Sequence, residues 1–284
     1  MLIDYIILMV AIFSVSWASI LVLLSNAPGI VCAFWRMTLS SIITLFLTSI
    51  KNKEIKVVLN IPIIFSGISL AIHFSFWMES LYKIPVALST TIVNLHPIFS
   101  TIIGSLIREK IKRIHLIGII TAIIGAAIMV KVWEISTEIE YLGIIYALIG
   151  ALSFSTYLSI NKISRKNMDT LTLTTGVYGI GGLTTLIYIM INKINFIIYP
   201  QSTWIYIILI TMIPMLMGHT LLNYLLRNLG LVIVAVSTLG EPIGSTILAY
   251  TILKQKIDLT QIFGMMTTLA GIFITTLSER KINQ

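Results

Sequence analysis

Two ionisable side chains stand in stretches that otherwise carry almost none. His96 and Glu241 each lie about 12 residues inside an apolar run, ~18 Å along a helix and so near the middle of a ~30 Å hydrocarbon layer, and each is followed directly by proline. A charge at such a depth costs roughly 2.5 to 3.5 kcal/mol on insertion scales, so it faces a partner or water. An imidazole and a carboxylate placed there can contact a ligand or exchange protons. Pro97 and Pro242 lack an N–H and leave the carbonyl four residues back, that of Val93 or Thr238, free to face the same space. The competing reading is a plain kink, with Glu241 hydrogen-bonded to a neighbouring helix. Asn94, two residues before His96, joins these residues as a candidate substrate contact.

Further polar residues interrupt other apolar runs. Arg36 and Glu79 lie near the same ends of two neighbouring runs, where they are expected to form a structural ion pair; in the alternative, Arg36 attracts an anionic group such as a carboxylate. His73 and Trp77 are four residues apart, as are His219 and Asn223, so each pair shares a helix face and either lines a polar path or bonds helix to helix. The single cysteine, Cys32, excludes a disulfide framework and a cysteine-based metal site and reads as a buried, inert thiol. The four histidines occupy different segments without an HExxH pair, and no GxSxG, P-loop or dinucleotide fingerprint occurs. No catalytic residue, metal or cofactor is expected. A membrane-embedded enzyme would cluster a nucleophile, base or metal ligands near one face, and the sequence holds no such cluster.

The elements that carry these residues follow from composition. Of 284 residues 57% are hydrophobic and 11% charged, and the mean hydropathy is +0.99, outside the balance of a water-soluble domain. Polar breaks divide the chain into ten apolar spans: Ile3 to Leu24, Ile30 to Ile50, Val58 to Leu81, Ile84 to Ile107, Ile114 to Val132, Tyr141 to Ile160, Leu171 to Ile191, Trp204 to Leu226, Leu229 to Leu253 and Leu259 to Leu277. The short connections predict a compact helical bundle, and the strict alternation of a membrane β-barrel is absent. The first span has no basic n-region or small-residue cleavage pattern, so it is expected to remain as a helix. With the N-terminus inside, 13 of 19 basic residues fall in the cytoplasm. Lys83, Lys131, Lys193, Lys254 and Lys256 fall outside, and both termini are cytoplasmic. The net charge of +8 is then a topology signal and an attraction to anionic headgroups; basic residues scattered over five loops form no nucleic-acid groove.

Internal symmetry is the most informative pattern. Leu81-Tyr82-Lys83-Ile84-Pro85 through His96-Pro97-Ile98-Phe99-Ser100 aligns with Leu226-Arg227-Asn228-Leu229-Gly230 through Glu241-Pro242-Ile243-Gly244-Ser245 at an offset of 145 residues. After a one-residue insertion Lys110-Ile111 meets Lys256-Ile257, Gly118 meets Gly264 and Gly125 meets Gly271, the glycines offering small-residue faces for packing. An odd number of helices per repeat turns the second half upside down relative to the first, as in many secondary transporters.

On Ala33-Phe34-Trp35-Arg36, on Leu81-Tyr82 to Pro97 with the basic loop Arg108-Glu109-Lys110, and on Leu239-Gly240-Glu241-Pro242, the chain resembles the EamA-like branch of the drug/metabolite transporter superfamily over essentially its whole length. The resemblance implies an all-α membrane protein with ten helices in two inverted five-helix repeats, residues 1–135 and 136–284. It also implies a cavity lined mainly by spans three, four, eight and nine, which places His73, Trp77, His219 and Asn223 there, and export or exchange of amino acids or related metabolites. Where family members often carry Gly-Glu after spans four and nine, this chain has Arg108-Glu109 and Lys254-Gln255. The expected function is secondary transport of a small molecule by alternating access in the cell membrane, with the lipid bilayer as a partner. Proton coupling and the choice between monomer and homodimer stay open. The alternatives are a receptor or scaffold that transports nothing, and an embedded enzyme.

Overall fold

The computed structural model describes residues 2–52, 58–109, 111–134, 140–253 and 257–280, and among these the regular structure is helical throughout. The expected boundary at 135/136 and the residues Lys53, Lys56, Lys110, Lys254, Gln255, Lys256 and Lys281 lie outside the described residues.

The helices are α1 (Leu2–Val15), α2 (Ala18–Ser25), α3 (Gly29–Asn52), α4 (Ile61–Ser80), α5 (Val86–Val93), α6 (His96–Leu106) and α7 (Arg113–Met129), followed by α8 (Tyr141–Ser164), α9 (Thr170–Ile191), α10 (Gln201–Ile210), α11 (Thr220–Leu229), α12 (Leu231–Ser237), α13 (Glu241–Leu253) and α14 (Leu259–Arg280). Several ends are fixed by local chemistry. Asn60 caps α4 by accepting from the Ile63 amide at 3.0 Å, Asp169 caps α9 by accepting from Leu171 and Thr172, and Gly230 turns the chain between α11 and α12 at φ 81°. Joined across their interruptions, nine of these stretches are long and apolar enough to cross a membrane; α7, at 17 residues, falls just short. It ends at Met129, before the expected Val132, because Lys131 takes a left-handed φ of 50°.

Four expected spans are interrupted. The first breaks at Ser16-Trp17 between α1 and α2. The fourth and ninth break at the prolines: His96 opens α6 and Glu241 opens α13, with the 3-10 turn Thr238–Gly240 leading into the latter. A proline without an N–H is well placed in the first turn of a helix, so the expected kinks at Pro97 and Pro242 become new helix starts. The eighth widens into a nine-residue π-helical stretch, Thr211–His219, around Pro214.

Glycines set the tightest crossings. α7 and α14 pack antiparallel, and a β-carbon at Gly118 would lie 2.7 Å from the Gly271 carbonyl oxygen, as one at Gly264 would lie 2.8 Å from that of Gly125. The Gly181-Gly182 pair of α9 similarly admits Met37 and Thr38 of α3. α4 lies along α8 and α9, and α1 lies along the π-helical stretch and α11. Large apolar side chains cover the perimeter, among them Phe65 and Phe263, each more than 60% exposed. Such a coat suits acyl chains rather than water.

Candidate functional site

The breaks in the two proline-bearing spans meet at the centre of the bundle. His96 Nε2 lies 2.6 Å from Thr238 Oγ1. The threonine proton is given to the Ala235 carbonyl at 2.8 Å, so the imidazole is the donor and its buried Nδ1 is left as an acceptor with no partner. Asn94, anchored to the Thr90 carbonyl, also reaches Glu241 Oε2 at 3.5 Å. Both contacts run from the fourth span to the ninth.

Above this crossing sits a ring cluster. Phe154 of α8 stacks on His73 at 4.5 Å, meets His96 edge-on at 4.6 Å and meets His219 at 5.4 Å, while His73 lies parallel to Trp77 at 5.9 Å. His73 Nδ1 bonds the Gly150 carbonyl at 2.9 Å, so it carries a proton. Four buried polar groups at or beside this centre have atoms without partners among the described residues: His96 Nδ1, His219 Nδ1, Trp77 Nε1 and the three guanidinium nitrogens of Arg36. Native interiors hold few such atoms, and this concentration marks a place that expects polar company. The central cavity bounded by His73, Trp77, Asn94, His96, His219 and Glu241 measures about 20 Å³, room for roughly one water.

Not every expected residue joins them. Asn223 turns away into a network at the basic end of the bundle, where Ser66 donates to Asn161 at 2.6 Å, Asn161 donates to Asn223 at 2.7 Å, and Asn223 donates to Tyr157 and to the His219 carbonyl. Nearby, Glu109 accepts from the Leu231 amide at 3.0 Å and pairs with Lys162 at 3.5 Å, tying the fourth, sixth and ninth spans together. Burial lowers the pKa of Arg165, in the turn after α8, which donates through Nε to the Asn223 carbonyl. The expected Arg36–Glu79 ion pair is not formed. Arg36 is fully buried with its guanidinium 3.9 Å from the Phe74 ring centroid, whereas Glu79 points into a separate cleft. Gly29, seven residues before Arg36, is the α3 residue that lies against Glu79, so the arginine stands about two turns deeper along the bundle. Cys32 is buried against Ser25 Oγ at 3.2 Å. Phe154 was missed by sequence reading, because an aromatic within an apolar run carries no signal that separates it from core.

A helical bundle with a lipid-compatible coat, two broken spans and polar groups enclosed where they meet defines a multi-pass membrane protein with a polar centre. The chain belongs to the EamA-like transporter family, whose model matches residues 2–131 and 141–277. It is 21% identical over 199 residues to an uncharacterized transporter of Archaeoglobus fulgidus, covering 70% of each chain. A structure described only as the crystal structure of a protein shares the fold, with a TM-score of 0.80 over 99% of both chains at 15% identity.

Proposed function

We propose that this protein is a secondary carrier of amino acids or related small metabolites, working by alternating access of two inverted five-helix repeats, residues 1–135 and 136–284, about the site between His96 and Glu241. In this reading α7 is the fifth of ten spans. The observation that carries it is the meeting of two equivalent helix breaks, 145 residues apart, through bonds that run between the halves. Other contacts occur in matching pairs. Gly118 approaches Gly271 as Gly264 approaches Gly125; Ser100 donates to Ser155 as Ser245 donates to the Ser16 carbonyl; Lys83 holds Glu140 as Asn228 holds Asp4. On the side of spans four and nine, Ser100 with Ser245 and Lys83 with Asn228 follow the 145-residue offset. Discontinuous helices at a repeat interface are a recurring way to bind substrate at mid-depth. The small central volume and the bonded basic end fit a conformation closed around the site.

The test is binding and flux together. Purified protein in detergent is melted against amino acids, polyamines, nucleotides and sugar phosphates, with Glu241→Gln and His96→Ala alongside, and hits are followed as uptake into sealed vesicles. One compound class should stabilise the parent, by about 2.7 kcal/mol at roughly 100 times its dissociation constant, and both variants should lose the shift. Binding without flux would make the protein a receptor, and shifts unaffected by either substitution would return these residues to structural roles. Gradient-driven uptake that becomes gradient-independent in Glu241→Gln would assign proton coupling to that carboxyl; unchanged dependence removes it.

A further inference from the structure

A second cavity, of about 480 Å³, opens on the side of the bundle between α4, α8 and α9, and it shares no lining residue with the central site. Its size falls within the range of ordinary small-molecule sites. One charge faces it: the half-buried Glu79 carboxylate, which makes no hydrogen bond or ion pair among the described residues. Around that charge stand the rings of Phe76, Tyr146 and Tyr188. Phe76 and Tyr146 meet edge to face at 5.1 Å, and the Tyr146 ring already draws the Lys83 ammonium to 5.9 Å from its centroid.

The aliphatic hydroxyls in the cleft narrow the chemistry further. Ser75 gives its proton to the Ala71 carbonyl at 2.7 Å, Thr184 to Ile180 at 2.8 Å and Thr185 to Gly182 at 2.9 Å. Each therefore offers the cleft an acceptor and no donor. Among the described residues no cationic side chain lines the cleft, and the nearby Lys83 is held by Glu140 at 2.8 Å. Negative charge, acceptor oxygens and ring faces in one apolar cleft form a surface complementary to a positive, hydrogen-bond-donating or quaternary nitrogen on an apolar body.

We propose that the Glu79 cleft is a ligand site in its own right, separate from the central site, and that it binds amphipathic organic cations. The assignment does not depend on what the central site carries. Titration calorimetry of the full-length purified protein with benzyltrimethylammonium, and with benzenesulfonate as an anion of similar size, tests it. The cation should bind and the sulfonate should not. Glu79→Gln should weaken the cation about tenfold and Tyr146→Leu roughly threefold, while Glu241→Gln leaves its affinity unchanged. Melting curves check that each variant is folded; if Glu79→Gln is not, Tyr146→Leu decides. Equal binding of both ions, unchanged affinity in a folded Glu79→Gln or in Tyr146→Leu, no binding by the parent, or loss confined to Glu241→Gln would each overturn the assignment, the last by moving the cation to the central site.

Discussion

Arg36 is the residue whose burial is hardest to explain by folding alone. Its guanidinium is wholly enclosed, rests on the Phe74 ring and has three nitrogens with no acceptor among the described residues. The ring contact returns about 0.5 to 2 kcal/mol, whereas unmet donors on a charged group cost more than the ~1 to 3 kcal/mol of neutral ones. Arg36→Met, similar in volume, should therefore raise stability by about 1 kcal/mol, read as a higher melting midpoint, while weakening the binding of carboxylate-bearing compounds. A lower midpoint would assign the residue to the fold. At this scale the sequence was informative wherever a side chain contradicted its surroundings: His73, Trp77, Asn94, His96, His219 and Glu241 stand out in apolar runs, and the fold brings them to one cavity. Depth along a span could be counted, but rotation about its axis is set by packing. That is why Asn223 faces the basic-end network, whereas Arg36 and Glu79, expected to meet, differ in depth as well, with Gly29 rather than Arg36 beside Glu79.

Among the elements, the α7–α14 crossing is the most demanding. A β-carbon at Gly271 would sit 2.5 Å from the Gly118 carbonyl oxygen, so Gly271→Val must push two backbones apart. The loss should be about 2 to 3 kcal/mol in denaturation experiments, against a change within about 0.5 kcal/mol for Ala270→Val on the exposed face of the same helix. Equal effects would show that the crossing is not tight. The seven-residue glycine spacing was visible beforehand; at Pro97 and Pro242 kinks were expected, where the chain instead starts new helices. The π-helical stretch at Pro214 was not, since a proline in an apolar run is compatible with a kink, a new helix start or a widened turn, and neighbouring helices choose among them. The break at Ser16-Trp17 has neither proline nor glycine to announce it.

For the whole molecule, ionic contacts hold the turns between elements. Lys131, after α7, reaches Asp258, before α14, at 2.6 Å, and this bond lowers the pKa of Asp258 and raises that of Lys131. The aspartate's contribution is present above its ordinary value of 3.8 and is lost as pH falls through the lowered folded value; the lysine's is present below 10.5 and is lost as pH rises through the raised one. Asp258→Asn should thus lower the melting midpoint by a small, constant amount between about pH 5 and 9, with the gap closing as acid protonates the parent's carboxylate. A gap that survives at about pH 2 would remove the ion pair as its cause. The helical class and the approximate place of every apolar run were readable because lipid imposes length and hydropathy on each one. Which runs lie against which was not, since that is decided by contacts such as α4 with α8 that join residues far apart in the chain.

The glycine seam carries one more consequence. In the proposed two-repeat arrangement, exchanging the halves turns the Gly118–Gly271 approach into the Gly264–Gly125 approach, so the seam is its own image. A joint with that property looks the same whichever half has taken the other's shape. Under the proposed alternating access it would act as a fixed axle, leaving the bonds remade on each cycle to the broken helices and the polar network at the basic end.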